Sequence, residues 1–456
     1  MKYDLIILGG GPAGYAAAIA AGRERKKVVL FEGEHIGGVC LNKGCIPMKY
    51  LLDKGAQLEK IRALVRCEIV KDSGLFSYSR IIRGKDNAVS KLIVGVTRLL
   101  AHYGIEVVFS FAEITAPDTI RCNGKTYTAK NILIATGSAP SVPPIPGIQY
   151  AADSSWLLAQ KRIPKSLAII GGGVIGVELA EAMHAFGSRV TVLEALGRLF
   201  PKGQEEPIAM LTQILSHKGI KIETGVIITA IELNGANKKI RYETNGQLSE
   251  LTVDQVLAAT GRKPSLVGID TNKLGLKTSA GRYLAVDDYM RTNLPNIYAA
   301  GDITGRWQLA HSAYIEAEYA TSNMFGKPRK VDLSVMPYCV YTNPPFAAVG
   351  MTTGQATAAG IDYTVGCFPY AACGMAVAAD ATDGMAMVLS EQKTGRILGA
   401  HILGEAAHEL ISTAAMAIAH KLTVHDWENL ITAHPSLSEI LPEAALGSIG
   451  KARHIP

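Results

Sequence analysis

Dense runs of lysine and arginine are missing from this 456-residue sequence; its longest basic cluster, residues 23–27, suits a solvated helix end, and the net charge is only +6. A grip on nucleic acid is therefore not expected. No unbroken apolar run is long enough to span a membrane. Residues 131–152 carry no charge, but Pro140, Pro143, Pro144 and Pro146 interrupt them, so the stretch reads as an interdomain linker. The first apolar strand signal begins at Asp4, leaving no room ahead of it for a signal or transit peptide, and a cytoplasmic location is expected. Cysteine is scarce and its count of seven is odd, which argues against a structural disulfide framework. Cys67, Cys122, Cys339, Cys367 and Cys373 show no metal-ligand spacing and are read as small apolar residues, so no metal site is expected.

Glycine, by contrast, is abundant at 46 residues, and hydrophobic residues make up 48%. That composition predicts an α/β chain of two to four domains. An apolar strand at residues 4–8 runs into Gly9, Gly10, Gly11, Pro12, Ala13 and Gly14, then an alanine-rich helix, then a strand at residues 28–31 ending on Glu32. This order is that of a dinucleotide-binding unit: Gly9 for the turn, Gly11 for pyrophosphate approach, Gly14 for helix–strand packing, Glu32 for the ribose hydroxyls. The pattern recurs with a strand at 167–170, then Gly171, Gly173, Val174 and Gly176, a helix, and a strand at 190–193 ending on Glu194. Two complete copies predict two bound dinucleotides. Glu194 would repel a 2′-phosphate, and no arginine pair follows it (Arg198 stands alone four residues on), so NAD is expected there over NADP.

The segment HIGGVCLNKGCIPMK, residues 35–49, sets Cys40 and Cys45 five positions apart. In a regular helix that spacing separates side chains by about 140°, so the backbone must leave helical geometry for the sulfurs to meet. Gly44 supplies that freedom, and Pro47 suits the first turn of a helix beginning beside Cys45. A helix N-terminus and Lys49 would both favour a Cys45 thiolate.

GGVCLNKGCIPMK resembles the redox-active disulfide segment of the flavoprotein disulfide reductases, and most closely their lipoamide-oxidising branch. The likeness extends along the chain. The motif with Thr136 and Gly137 resembles the strand closing a FAD domain, and that with Gly261 the exit from a NAD domain. The motif with Asp302 resembles the second FAD signature, whose following helix, starting near Ala310, faces the flavin; His311 lies in the same stretch. His434, Pro435, Ser436 and Glu439 resemble the acid–base element of the family. The resemblance implies FAD and NAD as cofactors, a Cys40–Cys45 redox disulfide, a Lys49–Glu178 pair beneath the flavin, and His434 polarised by Glu439. Met48, Lys43 and Ser436 depart from the usual pattern without removing a reacting atom.

Ile19 stands where glutathione reductases carry an arginine, Val174 where they carry an aromatic lid, and no cysteine pair closes the chain. The resemblance therefore implies oxidation of a protein-bound dihydrolipoyl group, with electrons passing to NAD⁺. The partner would be a lipoyl-bearing protein of a 2-oxoacid dehydrogenase or glycine cleavage complex. It also implies a homodimer, with residues 408–420 forming a small-residue helix suited to close packing. The expected architecture is a FAD-binding domain at 1–143, a NAD-binding domain at 144–266, a segment completing the first at 267–334, and an α+β interface domain at 335–456. The rivals are a reductase of a low-molecular-weight disulfide and a flavin-containing redox sensor; a sensor has no need of His434 and Glu439.

Overall fold

A computed structural model describes residues 2–72, 74 and 76–455; Met1, Ser73, Leu75 and Pro456 lie outside the described residues. The first sheet has seven strands, in the order Glu106–Phe109, Val28–Glu32, Lys2–Leu8, Lys125–Ile134, Thr119–Cys122, Glu113–Ala116. The strand Lys125–Ile134 forks. Its beginning pairs antiparallel with Thr119–Cys122, while its end pairs parallel with Ile297–Ala299, a strand returning from much later in the chain. Strand Lys2–Leu8 is central and apolar because both its faces are covered. Leu5 and Ile7 pack on one side with Leu30, Leu133 and the alanines of the helix Pro12–Arg23. Ile6 and Leu8 pack on the other with Val29, Phe31 and Ile134.

The second sheet repeats the plan. Its strands lie in the order Lys221–Thr224, Arg189–Glu194, Ser166–Ile170, Gln255–Ala258, all parallel. A three-stranded meander, Ile227–Asn234, Asn237–Thr244 and Gln247–Val253, is inserted before the last strand.

The third layer is an antiparallel sheet of five strands, Tyr338–Val340, Phe346–Gly350, Ile397–Leu403, Met385–Glu391 and Tyr363–Pro369. Helices Ala407–Ala419 and Ile440–Gly447 share the core on one of its faces. Its other face puts Phe346, Ala348 and Leu403 into a core that also holds Met48 and Leu51 of the helix Cys45–Arg66 and Leu167 of the second sheet. The three units thus meet behind the segment that carries Cys40 and Cys45.

Two expectations are corrected. The uncharged stretch 131–152 is not simply a linker. Its first residues finish a strand buried on both sides, where charge would be costly, and Ser138–Pro140 pairs with Arg262–Pro264. Cys122 and Cys373 are buried, but Cys67 and Cys367 are exposed, so these two are not core residues. Among the described residues no helix is long and apolar enough to cross a membrane.

Candidate active site

The first fingerprint folds as its glycines require. Gly9 has φ +98°, and a Cβ there would lie 2.3 Å from the Ala135 carbonyl oxygen. A Cβ on Gly14 would lie 1.7 Å from the Gly9 oxygen, so only glycine lets the helix Pro12–Arg23 sit this close to its strand. Gly11 caps that helix without a side-chain bond, Pro12 opens it, and Ala13 and Gly14 follow. No capping side chain claims the first-turn amides, which suits a pyrophosphate. Glu32 accepts from the amides of Gly10 and Glu34, both at 2.7 Å.

The second copy matches it bond for bond. Gly171 has φ +107°, and a Cβ on Gly176 would lie 2.1 Å from the Gly171 oxygen. Glu194 accepts from Gly172 at 2.5 Å and Leu196 at 2.7 Å. Gly173 opens onto free space, and Val174 begins the helix Val174–Ala185 half-exposed. Arg198 donates to the carbonyl oxygens of Pro201 (2.7 Å) and Gly203 (3.1 Å), so its guanidinium is engaged away from Glu194. The residues present fit two dinucleotides.

Between the second and third strands of the first sheet, Cys40 lies in the short helix Gly38–Lys43 and Cys45 opens the helix Cys45–Arg66. Gly44, at φ −141° and ψ −108°, supplies the break between them. Asn42 pins the loop by donating to the carbonyls of Ile36 and Gly38. The two thiols face each other closely enough that each shifts the other's ionisation. The neighbouring Cys40 and the charge of Lys49 outweigh burial and bring Cys45 down to about 7, while the neighbouring Cys45 and burial push Cys40 up. Of the two, Cys45 at the helix start is the sulfur more readily ionised and Cys40 the one more readily kept as thiol. Lys43 turns outward to an exposed ion pair with Glu34 at 2.5 Å, so its charge is met at the surface.

Lys49 donates to both carboxylate oxygens of Glu178, at 3.0 and 2.9 Å. Glu178 is only 2% exposed and also accepts from the Tyr341 amide at 3.0 Å. Asp302 follows Gly301, whose φ is +79°, and accepts from the Ser138 hydroxyl at 2.5 Å. Arg262 donates to that same hydroxyl at 2.7 Å and to the Ser138 carbonyl at 2.6 Å. Thr136 donates to the Ser265 carbonyl, and Gly137 and Gly261 take positive φ at the two crossings between the first two units. Ala310 begins the helix Ala310–Met324, and His311 shares a bond with the Pro337 carbonyl at 2.8 Å on an exposed ring.

His434 meets Glu439 through Nδ1 at 3.0 Å. Burial works against the charge of Glu439, but the Ser436 amide and His434 hold its carboxyl below the usual range. The His434 side chain is 70% exposed, and Ile431, three residues earlier, is 96% exposed. The structure brings Cys40, Cys45, Lys49 and Glu178 together, and separately His434 with Glu439.

Several neighbours of this centre have no local signal in the sequence. Tyr15 and Tyr314 meet hydroxyl to hydroxyl at 2.7 Å within electrostatic reach of both sulfurs. Lys218 bridges Glu59 and Glu181, with Asn343 also donating to Glu59. Arg262 could have been suspected as a cation directly after Gly261; the tyrosines could not. Among the described residues no group of three or more His, Cys, Asp or Glu is placed to hold a metal.

Duplicated dinucleotide folds with a dithiol between them define a flavin- and nicotinamide-dependent disulfide oxidoreductase. Residues 3–317 match the model described as pyridine nucleotide-disulphide oxidoreductase, and residues 336–445 match that family's dimerisation domain. The chain belongs to this family, whose cofactors are FAD and NAD. It is 36% identical to a dihydrolipoyl dehydrogenase of Thermus scotoductus, covering 99% of both chains. It is 34% identical to the enzyme of that name from Mycoplasma pneumoniae, over 97% of this chain and 98% of that one. Among solved structures it resembles the HOCl-induced flavoprotein disulfide reductase RclA of Escherichia coli, with a TM-score of 0.88 and 30% identity over 97% and 99% of the two chains.

Proposed function

We propose that this protein oxidises a protein-bound dihydrolipoyl group and passes the electrons to NAD⁺. The observation that carries the reading is the paired cysteines, Cys40 in the short helix Gly38–Lys43 and Cys45 opening the next across the Gly44 break, beside a Lys49 bonded to both oxygens of Glu178. Likeness over the full chain to enzymes named dihydrolipoyl dehydrogenase supports it. When bound, FAD carries the two electrons from the dithiol to the nicotinamide. The residues do the rest. His434 takes a proton from the substrate dithiol, imidazole being suited to proton exchange near neutrality, and Glu439 fixes its tautomer through Nδ1. The substrate thiolate attacks Cys40 of the oxidised pair; the S–S bond to Cys45 breaks and Cys45 leaves as thiolate. The second substrate sulfur then attacks its neighbour in the mixed disulfide, closing lipoamide and releasing Cys40.

Because His434 is surface-exposed on its own chain, the site needs His434 of the partner subunit, supplied across a two-fold axis. The dimerisation-domain match and the exposed Ile431 support a homodimer. The same reading assigns Gly9, Gly11, Pro12, Ala13, Gly14, Glu32, Thr136, Gly137, Asp302 and Ala310 to FAD. Gly171, Gly173, Val174, Gly176, Glu194 and Gly261 are assigned to NAD, and the units are divided at 1–143, 144–266, 267–334 and 335–456. The second reading, a reductase of another disulfide driven by a nicotinamide, draws on the likeness to RclA. Steady-state assay separates them. Turnover of dihydrolipoamide with NAD⁺ supports the proposal, and reduction of small disulfides by NADH without any dihydrolipoamide turnover supports the alternative.

A further inference from the structure

Tyr341 follows the edge strand Tyr338–Val340 of the C-terminal sheet, in the loop leading to Phe346–Gly350. Its amide holds Glu178 Oε1 at 3.0 Å, and its ring centroid lies 4.4 Å from Lys49 Nζ. The ring's other neighbour is His408, at 5.2 Å between centroids. The Lys49 ammonium is therefore held between the Glu178 carboxylate and an aromatic face, an arrangement in which the ring quadrupole attracts the cation.

The alternative open to Lys49 is visible beside it. A cavity of about 300 Å³ adjoins Lys49 and Tyr341, lined by Asp53, Glu59, Lys60, Glu405 and His408. Three of those side chains are carboxylates, and the Lys49 side chain is 33% exposed. Asp53 already pairs with Lys54, Glu59 with Lys218 and Glu405 with Lys60, so a Lys49 ammonium that left Glu178 would swing on its flexible stem into the cavity and away from Cys45. The Tyr341 ring lines the same cavity, its centroid 4.4 Å from the ammonium.

We infer that Tyr341 is a positioning residue, whose ring keeps the Lys49 ammonium over Glu178 and so keeps a positive charge beside Cys45. The inference rests on the dithiol site proposed above but not on the substrate assigned to it. Cys45 is faced by Cys40 from the preceding short helix, Lys49 from its own helix and Glu178 from the second fingerprint helix, and also lies near Tyr15, Tyr314 and Tyr341. Cys339 and Glu409 flank Tyr341 and contribute no positive charge. Lys49 is the cation beside Cys45 and its charge favours the thiolate, so where that ammonium sits bears on how readily Cys45 ionises. The C-terminal unit thereby reaches the redox centre through one side chain.

The test uses the full-length holoenzyme carrying Cys40→Ser, in which Cys45 is the one redox thiol and its ionisation is read as long-wavelength thiolate-to-flavin absorbance against pH. Tyr341→Phe keeps the ring and the amide, and its midpoint should match that of the Cys40→Ser parent. Tyr341→Leu keeps the amide and removes the ring, and its midpoint should rise by about half to one pH unit, with about three- to tenfold less thiolate below the midpoint. Should the leucine variant fail to fold, replacement of residue 341 by phenylalanines bearing one, two and three ring fluorines decides the matter. Shape is nearly kept while the quadrupole weakens, and the midpoint should climb stepwise. An unchanged midpoint in folded Tyr341→Leu, or a flat fluorine series while Lys49→Met shifts it, overturns the inference. Neither result depends on dihydrolipoamide, so the inference and the proposed substrate fail separately.

Discussion

The two fingerprint sheets share a strand order, a pair of clash-enforced glycines and an acid resting on two amides, yet only one of them carries a dithiol. Between the second and third strands of the first sheet, residues 33–105 hold the redox loop and the helices Cys45–Arg66 and Tyr78–His102. The matching interval of the second sheet, residues 195–220, holds the single helix Glu205–His217. A scaffold repeated twice binds two dinucleotides; the insertion in one copy supplies the chemistry. The second copy contributes to that chemistry too. Glu178, on its fingerprint helix, is the partner of Lys49 on the inserted helix.

The sharpest way to break this comparison is to remove the inserted chemistry while leaving both scaffolds. Cys45→Ser should retain FAD yet lose dihydrolipoamide turnover by at least about 10⁴-fold, and should lack the long-wavelength absorbance that Cys40→Ser retains. Substantial turnover in Cys45→Ser would detach function from the insertion. The link between the copies comes next. Lys49→Met leaves Glu178 buried with only the Tyr341 amide, and should cost about 3 kcal/mol in a urea unfolding series of the holoenzyme. A cost under about 1 kcal/mol would mean the pair is dispensable to the fold.

Smaller effects separate the two copies from each other. Glu194→Ala strips the amides of Gly172 and Leu196 of their shared acceptor, and should lower kcat/KM for NAD⁺ by about ten- to a hundredfold while leaving FAD content unchanged. Wild-type enzyme should strongly prefer NAD⁺ to NADP⁺, and equal kcat/KM for the two would sink the reading of Glu194. At the lower end, Gly173→Ala meets open space and should change stability by less than about 0.5 kcal/mol, with its effect confined to NAD⁺ binding. Its counterpart in steric terms, Gly14→Ala, is no small effect: with its Cβ forced onto the Gly9 oxygen it should not yield a FAD-loaded protein at all. Thermal melts and flavin content check both.

Much of this was legible because it is local. Strand, glycine turn, helix and acid fall within some thirty residues, and the spacing of Cys40, Gly44, Cys45 and Pro47 states where the helix must break. His434 and Glu439 are five positions apart and meet through one bond. What was not legible is what long-range packing makes. Tyr341 reaches Glu178 across 163 positions, Tyr15 reaches Tyr314 across 299, and Arg262 reaches Ser138 across 124. Nothing near a lone tyrosine in sequence records which cation its ring will cover. The uncharged stretch 131–152 misled for a related reason, since a strand buried on both faces and a proline-rich linker both avoid charge.

The most direct test of the central claim is anaerobic rapid mixing of oxidised holoenzyme with dihydrolipoamide and no NAD⁺. The account predicts one lipoamide formed per dithiol, together with long-wavelength thiolate-to-flavin absorbance that disappears in Cys45→Ser. An enzyme that NADH reduces but dihydrolipoamide leaves fully oxidised would contradict it.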